Sequence, residues 1–123
     1  MPLTRATHVR WDDMPRERLN ERLERRYVNG EQLTLAQMFL ARGCLVPRHA
    51  HVNEQICHVL QGALRFSLGA DGAEQVDVRA GEILVIPSDL PHAAEALEDS
   101  IVADVFSPIR QDWIDQDDGY LRR

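Results

Sequence analysis

The sequence predicts an all-β domain, a sandwich or a barrel, on three observations. Nine or so short runs of β-forming residues follow one another at about 8–12-residue spacing. Glycine, proline or asparagine punctuates most of the breaks between them. No segment holds a 3.6-residue apolar period for long, as the helices of an α/β fold would.

The runs fall in order along the chain. Residues 22–28 and 32–40 flank Asn29-Gly30, a strong hairpin signal. Residues 44–46 lead through Pro47 to His49 and His51. Residues 55–60 close at Gly62, and residues 63–68 end in the turn Gly69-Ala-Asp-Gly72. Residues 75–78 alternate up to Ala80-Gly81, and residues 83–86 form a continuous apolar run stopped by Pro87. Residues 92–96 and 100–106 complete the series. Residues 16–26 have room for a helical turn or two, but their charges also suit a solvated edge. The tail, residues 111–123, carries Trp113, Ile114 and Tyr120 among its aspartates and reads as an arm pinned by its aromatics.

Length and composition bound the function. A chain of 123 residues is one domain's worth and needs no disulfide to fold. Its net charge of −6 argues against nucleic acid or an anionic membrane as partner. No apolar stretch is long enough to span a bilayer, and the N-terminus lacks a signal peptide's apolar core, so the cytoplasm is expected. Cys44 and Cys57 are too few for a disulfide framework and read as small buried hydrophobes. His8 and His58 read as surface or packing residues.

The remaining histidines fall into a pattern. On a strand, His49 and His51 leave one face together. Gly43 precedes His49 by six residues, Gln55 follows His51 by four, and Gly62 follows Gln55 by seven. Gly81 precedes Pro87 by six, and His92 lies five beyond Pro87. This arrangement resembles the two cupin motifs, G-x5-H-x-H-x3-E-x6-G and G-x5-P-x-G-x2-H-x3-N. The resemblance implies a single-domain cupin jelly-roll barrel (a double-stranded β-helix) spanning residues 1–123. Strands and an arm occupy 1–42, the two motifs 43–96 and the tail 111–123. It also implies that His49, His51, Gln55 and His92 converge on one divalent transition metal. Mn, Fe, Ni, Co or Zn would all suit imidazole-plus-oxygen ligation.

Three positions depart from the motifs: Gln55 stands for Glu, Asp89 for Gly and Ala96 for Asn. Strand parity points Glu54 outward if Gln55 points in. A neutral fourth ligand leaves the cation's charge uncompensated, which favours Lewis-acid chemistry on anionic or chelating oxygen ligands.

Asp104 and Phe106 share a face of the run at 100–106, and Ser107-Pro108 turns the chain toward Arg110. Periodicity alone favours the plainer arrangement: Asp104 toward solvent, Phe106 in the core, Arg110 a surface charge. The stretch ALED-x6-FSP-x-R-x-D-W, however, is similar to the C-terminal strand of the KdgF family, small cupins of pectin and alginate breakdown with an H-x-H…Q…H metal site. Here the interval from His51 to Gln55 is one residue shorter than in the pectin enzymes. The resemblance implies that Asp104, Phe106 and Arg110 line a sugar pocket. It also implies conversion of 4,5-unsaturated monouronates to linear 4-deoxy-5-keto uronates. A small anionic substrate and a homodimer are the expected partners, the dimer pairing sheet edges and a segment near Leu33, Leu35, Met38 and Leu40. An O2-dependent cupin dioxygenase and a non-catalytic sugar- or metal-binding module are the rival readings. The sequence leaves open whether Glu54, Arg48, Arg65 or His58 reaches the pocket.

Overall fold

The structure, a computed structural model, describes residues 5–123; the first four residues of the N-terminal arm lie outside the described residues. It contains ten strands: β1 Glu17–Asn20, β2 Leu23–Asn29, β3 Thr34–Leu40, β4 Leu45–His49, β5 Glu54–Gln61, β6 Ala63–Leu68, β7 Glu74–Arg79, β8 Ile83–Ile86, β9 His92–Ala96 and β10 Ser100–Ser107. A 3₁₀ turn, Trp11–Asp13, precedes them. A single-turn helix α1, Gln111–Ile114, and a 3₁₀ turn, Gly119–Arg122, follow. Two antiparallel sheets face each other, one in the order β1-β2-β3-β10-β5-β8 and one in the order β4-β9-β6-β7. The strand spacing predicts a sandwich or a barrel, and the structure is the all-β jelly roll that the cupin resemblance implies.

Two local expectations are sharpened by the pairing. Residues 17–20 form no helical turn; they are the edge strand of the six-stranded sheet, with Glu17 and Arg18 exposed and Glu17 opposite Arg25, so the solvated edge that their charges suit is what forms. Alternation there is short and bulged, so charge pairing shapes the strand more than an apolar stripe does. The Asn29-Gly30 hairpin exists, but the strands close at Asn29 opposite Thr34, with Gly30 N–H donating to the Leu33 carbonyl. Gly30 is not among the positive-φ residues, so the wider loop replaces the tight mirror-image turn. Asp89, by contrast, does take the left-handed conformation (φ 64°) that its motif glycine would have eased. Gly62 also has φ 85°, and a Cβ there would strike the Asp99 carbonyl, so only glycine fits between β5 and β6.

The core fills the space between the sheets. Leu23, Met38, Leu40, Val59, Leu64, Phe66, Val102, Phe106 and Trp113 are all buried there. Full burial of one such side chain contributes about 1.5–3 kcal/mol. Met38 and Leu40 therefore face inward and are no part of a surface edge. Leu33 and Leu35, 51% and 39% exposed, are the outward members of that set.

Candidate metal centre

The site is assembled from both sheets. His49 ends β4 and lies directly opposite His92 at the start of β9. The register between β4 and β9 slips between Val46 and His49, where Pro47 has no N–H to give the ladder. The slip matters. Strict alternation from Val46 would turn Arg48 inward, but the bulge reverses the parity, so Val46 and His49 both line the interior and Arg48 points out. His51 lies just beyond the strand, carried back by the bend at Val52–Asn53.

The donor atoms of His49, His51 and His92 lie within 4.8 Å of one another. Each ring holds its Nδ1 against a nearby backbone carbonyl: His49 on Pro47 at 2.7 Å, His51 on Asn53 at 3.0 Å, His92 on Leu90 at 2.8 Å. With Nδ1–H donating, each Nε2 keeps its lone pair, the tautomer a metal ligand needs. Burial holds all three imidazoles below the ordinary histidine range, His49 and His51 at about 4, so they are neutral at neutral pH. The Nε2 of His51 is buried with no hydrogen-bond partner. Such an orphaned nitrogen is costly without a ligand, and the donor set fits a divalent cation.

The six-stranded sheet supplies the opposite wall. Asp104 and Phe106 on β10 face Cys57 and Gln55 on β5. Gln55 Nε2 donates to Asp104 Oδ1 at 3.0 Å, which fixes the amide flip and leaves its oxygen as the second face of the group. Asp104 is 6% exposed. Burial raises its pKa to about 6, against hydrogen bonds from Gln55 and Cys57 and the charge of Arg110. The solvent-facing arrangement that periodicity favours is thus reversed: Asp104 and Phe106 both point inward, as their shared parity requires. The ring of Phe106 meets His51 edge-on at 5.7 Å.

Arg110 is also not a surface charge. It is 2% exposed, stacked over Phe106 and Trp113, with Nε and Nη2 gripping the Asp112 carboxylate. Its Nη2 also donates to the Tyr120 hydroxyl at 2.5 Å. Glu54 is exposed, His58 is on the outer face of β5, Arg48 braces the Ser67–Gly69 turn and Arg65 pairs with Asp77. None of these four lines the interior. Tyr120, Cys57 and Asp112 are site neighbours to which the sequence patterns assign no role at the metal. Cys57 was accessible by parity with Gln55, whereas nothing local announces where a tail tyrosine lands.

Together these walls enclose a chamber of about 60 Å³ lined by His49, His92, Gln55, Asp104, Arg110 and Tyr120 within an apolar shell. Residues 36–107 match the Cupin domain family, more than half of the chain. The chain is a cupin. Within that family it resembles KdgF. It is 26% identical over 106 residues to the pectin degradation protein KdgF of Dickeya dadantii, covering 84% of this chain and 94% of that protein. The structure of KdgF from Halomonas sp. superposes with a TM-score of 0.79 at 29% identity, over 87% of this chain and 99% of that one. A nitrosourea synthase of Streptomyces achromogenes is 30% identical over 73 residues, 59% of this chain but only 15% of that protein. Bacillus subtilis oxalate decarboxylase shares the fold, with a TM-score of 0.74 at 24% identity over 87% of this chain and 31% of that one. The three grouped histidines and this family support a divalent metal. No helix of the described residues is long and apolar enough to cross a membrane.

Proposed function

We propose that this cupin converts 4,5-unsaturated monouronates to linear 4-deoxy-5-keto uronates, with one divalent transition metal held by His49, His51, Gln55 and His92. The observation that carries this reading is a carboxyl group buried beside the histidine cluster, poised by burial near neutral pH and tied to the Gln55 amide. The likeness to KdgF, a pectin degradation protein, points to the same class of substrate. A divalent metal there would supply Lewis-acid polarisation of substrate oxygens.

The reaction is a redox-neutral isomerisation. A proton leaves the anomeric hydroxyl, the bond from C1 to the ring oxygen breaks, and C4 gains a proton as C5 becomes a ketone. Asp104 takes the first proton and returns one to C4, a role that suits a carboxyl titrating at about 6. Phe106 forms the apolar wall that keeps water from the enol ether. Arg110, held rigid by Asp112, presents positive charge toward the substrate carboxylate.

The working unit is inferred to be a homodimer, supported by the exposed apolar outer face of the six-stranded sheet. A cytoplasmic location agrees with two buried, unpaired cysteines. The test is metal analysis of purified protein together with NMR detection of uronate conversion in the absence of O2. Stoichiometric metal and anaerobic conversion are expected. Metal-replete protein that leaves every unsaturated monouronate unchanged would overturn the reading, and turnover that appears only with O2 would favour a dioxygenase.

A further inference from the structure

The chamber has a problem of size. Its volume is about 60 Å³, whereas one water needs about 10–15 Å³ and pockets for small organic ligands run to about 300–1,000 Å³. A cation and a few waters fit; a six-carbon sugar acid does not. Outside, a second cleft of about 530 Å³ is lined by His51, Asn53, Pro108, Gln111, Asp112 and Asp117, and by Tyr120. Among the described residues, Tyr120 alone lines both spaces. Its ring stacks on His49 at 4.4 Å with 29° between the planes, and its hydroxyl is held by Arg110.

We propose that Tyr120 is the gate between the outer cleft and the metal chamber, and that it sets the size of the ligand that reaches His49 and His92. A ligand of a few atoms passes with Tyr120 seated. A uronate docks in the cleft and enters when Gly119–Arg122 swings away. The uronate part rests on the function proposed above; the gate itself does not.

The segment is built to move as a unit. Among the described residues no strand follows it. A Cβ at Gly119 would meet nothing within 4 Å, so the segment's first residue is not wedged in place. What holds the segment down is mostly polar. Asn20 Nδ2 donates to the Leu121 and Arg123 carbonyls, Arg122 pairs with Glu17 and Asp118, and Asp118 pairs with Arg25. Water replaces such contacts more readily than it replaces a packed core. Only Leu121 anchors the segment by full apolar burial.

The test uses the metal-free, full-length protein and diethyl pyrocarbonate, which acylates accessible imidazole, with each histidine read by mass spectrometry. His92 lines the chamber at 3% exposure, and His8 is the exposed internal reference. His92 is expected to react at least tenfold more slowly than His8 in the wild type. Tyr120→Ala should raise its rate about tenfold. Tyr120→Phe, which keeps the ring, should stay within about threefold of wild type. Arg122→Ala, which loosens the latch without touching the chamber, should give an intermediate rise. The melting transition followed by circular dichroism reports any collapse of Tyr120→Ala, in which case Arg122→Ala decides. Wild-type His92 rates in Tyr120→Ala and Arg122→Ala would overturn the gate even if uronates turn over. Accelerated rates with no uronate turnover would leave the gate standing and remove the uronate reading.

Discussion

The two faces of the sheet where β3, β10, β5 and β8 run side by side do not divide into an apolar inside and a polar outside. On the inner face, Ala36, Asp104, Cys57 and Leu84 form one cross-strand row, and Thr34, Phe106, Gln55 and Ile86 form the next. Polar and ionisable groups thus lie inside the barrel. On the outer face, Leu35, Val105, Ile56 and Val85 stand in line across four strands, with Ile83 beside them. Ile56, Val85 and Ile83 are exposed. A sheet with one solvated face normally keeps such polar groups outside and such apolar rows inside. Because neighbours on a strand alternate, Gln55 and Ile56 are adjacent yet face different surroundings. The inner residue adjoins the chemistry, and the outer one belongs to the proposed contact with a second copy.

The largest way to break this comparison is on the inner face. Asp104→Asn keeps the volume and the partner of Gln55 but removes the proton carrier. Turnover should fall by about 10³-fold, within the range general acid–base groups contribute, while metal content stays stoichiometric. Steady-state kinetics beside metal analysis checks it, and unchanged turnover would remove the acid–base role.

A second effect concerns the tail that closes the inner chamber. Asp118 is fully buried between Arg25 and Arg122. Burial pushes its carboxyl up, but the hydrogen bonds from Arg122 and Arg25 outweigh this and hold it below the usual carboxylate range; Glu17 is lowered in the same way. A depressed folded pKa contributes stability that is present above the unfolded value, near 4, and is lost as pH falls through the folded one. Asp118→Asn should therefore cost about 3 kcal/mol at neutral pH. The gap between its melting temperature and that of the wild type should close as pH drops below about 4. Calorimetry from neutral to acid pH reads it; a gap independent of pH would contradict the ion pair's role.

The third test moves to the outer face. Ile56→Asp places a charge at the centre of the apolar row. It should weaken self-association about 100-fold, a few kcal/mol for burying an unpaired carboxylate, while metal content and turnover per subunit remain. Light scattering should report a dimer of the 14.0 kDa chain for the wild type and the single chain for the variant. A wild type that is monomeric at micromolar concentration would defeat the dimer.

What the sequence made legible follows the same parity. The strand series announces a sandwich or barrel, and the motif glycines and histidines carry the resemblance that makes it a jelly roll, because period-two patterns and left-handed turns are local properties. Glu54 outward follows from alternation once the motif spacing to Gly62 sets Gln55 inward. The position of Asp104 did not, because an aspartate two residues from a phenylalanine is compatible with either side until the partner strands are known. The bulge at Pro47, which delivers His49, depends on how β4 meets β9. Periodicity alone misplaces Arg110, which the family resemblance sets in the pocket, because its burial depends on Asp112 and Tyr120, and Tyr120 reaches His49 only through the fold of the tail.

The smallest effect probes the inner face by a single charge. Gln55→Glu is nearly isosteric, so the fold and metal content should survive. In the wild type the amide N–H donates to Asp104 across 3.0 Å. A carboxylate in place of that amide has no proton to give there. Two facing carboxylates at that distance repel unless a proton lies between them, and a proton trapped between the introduced carboxylate and Asp104 cannot shuttle to substrate. The added negative charge would also partly neutralise the cation and reduce its pull on an anionic ligand. Both effects point the same way. Turnover should fall about tenfold, roughly 1.4 kcal/mol of transition-state stabilisation. If Gln55→Glu turns over as fast as the wild type with full metal content, neutrality of the Gln55 side chain has no part in the chemistry, and the inner face works through Asp104 alone.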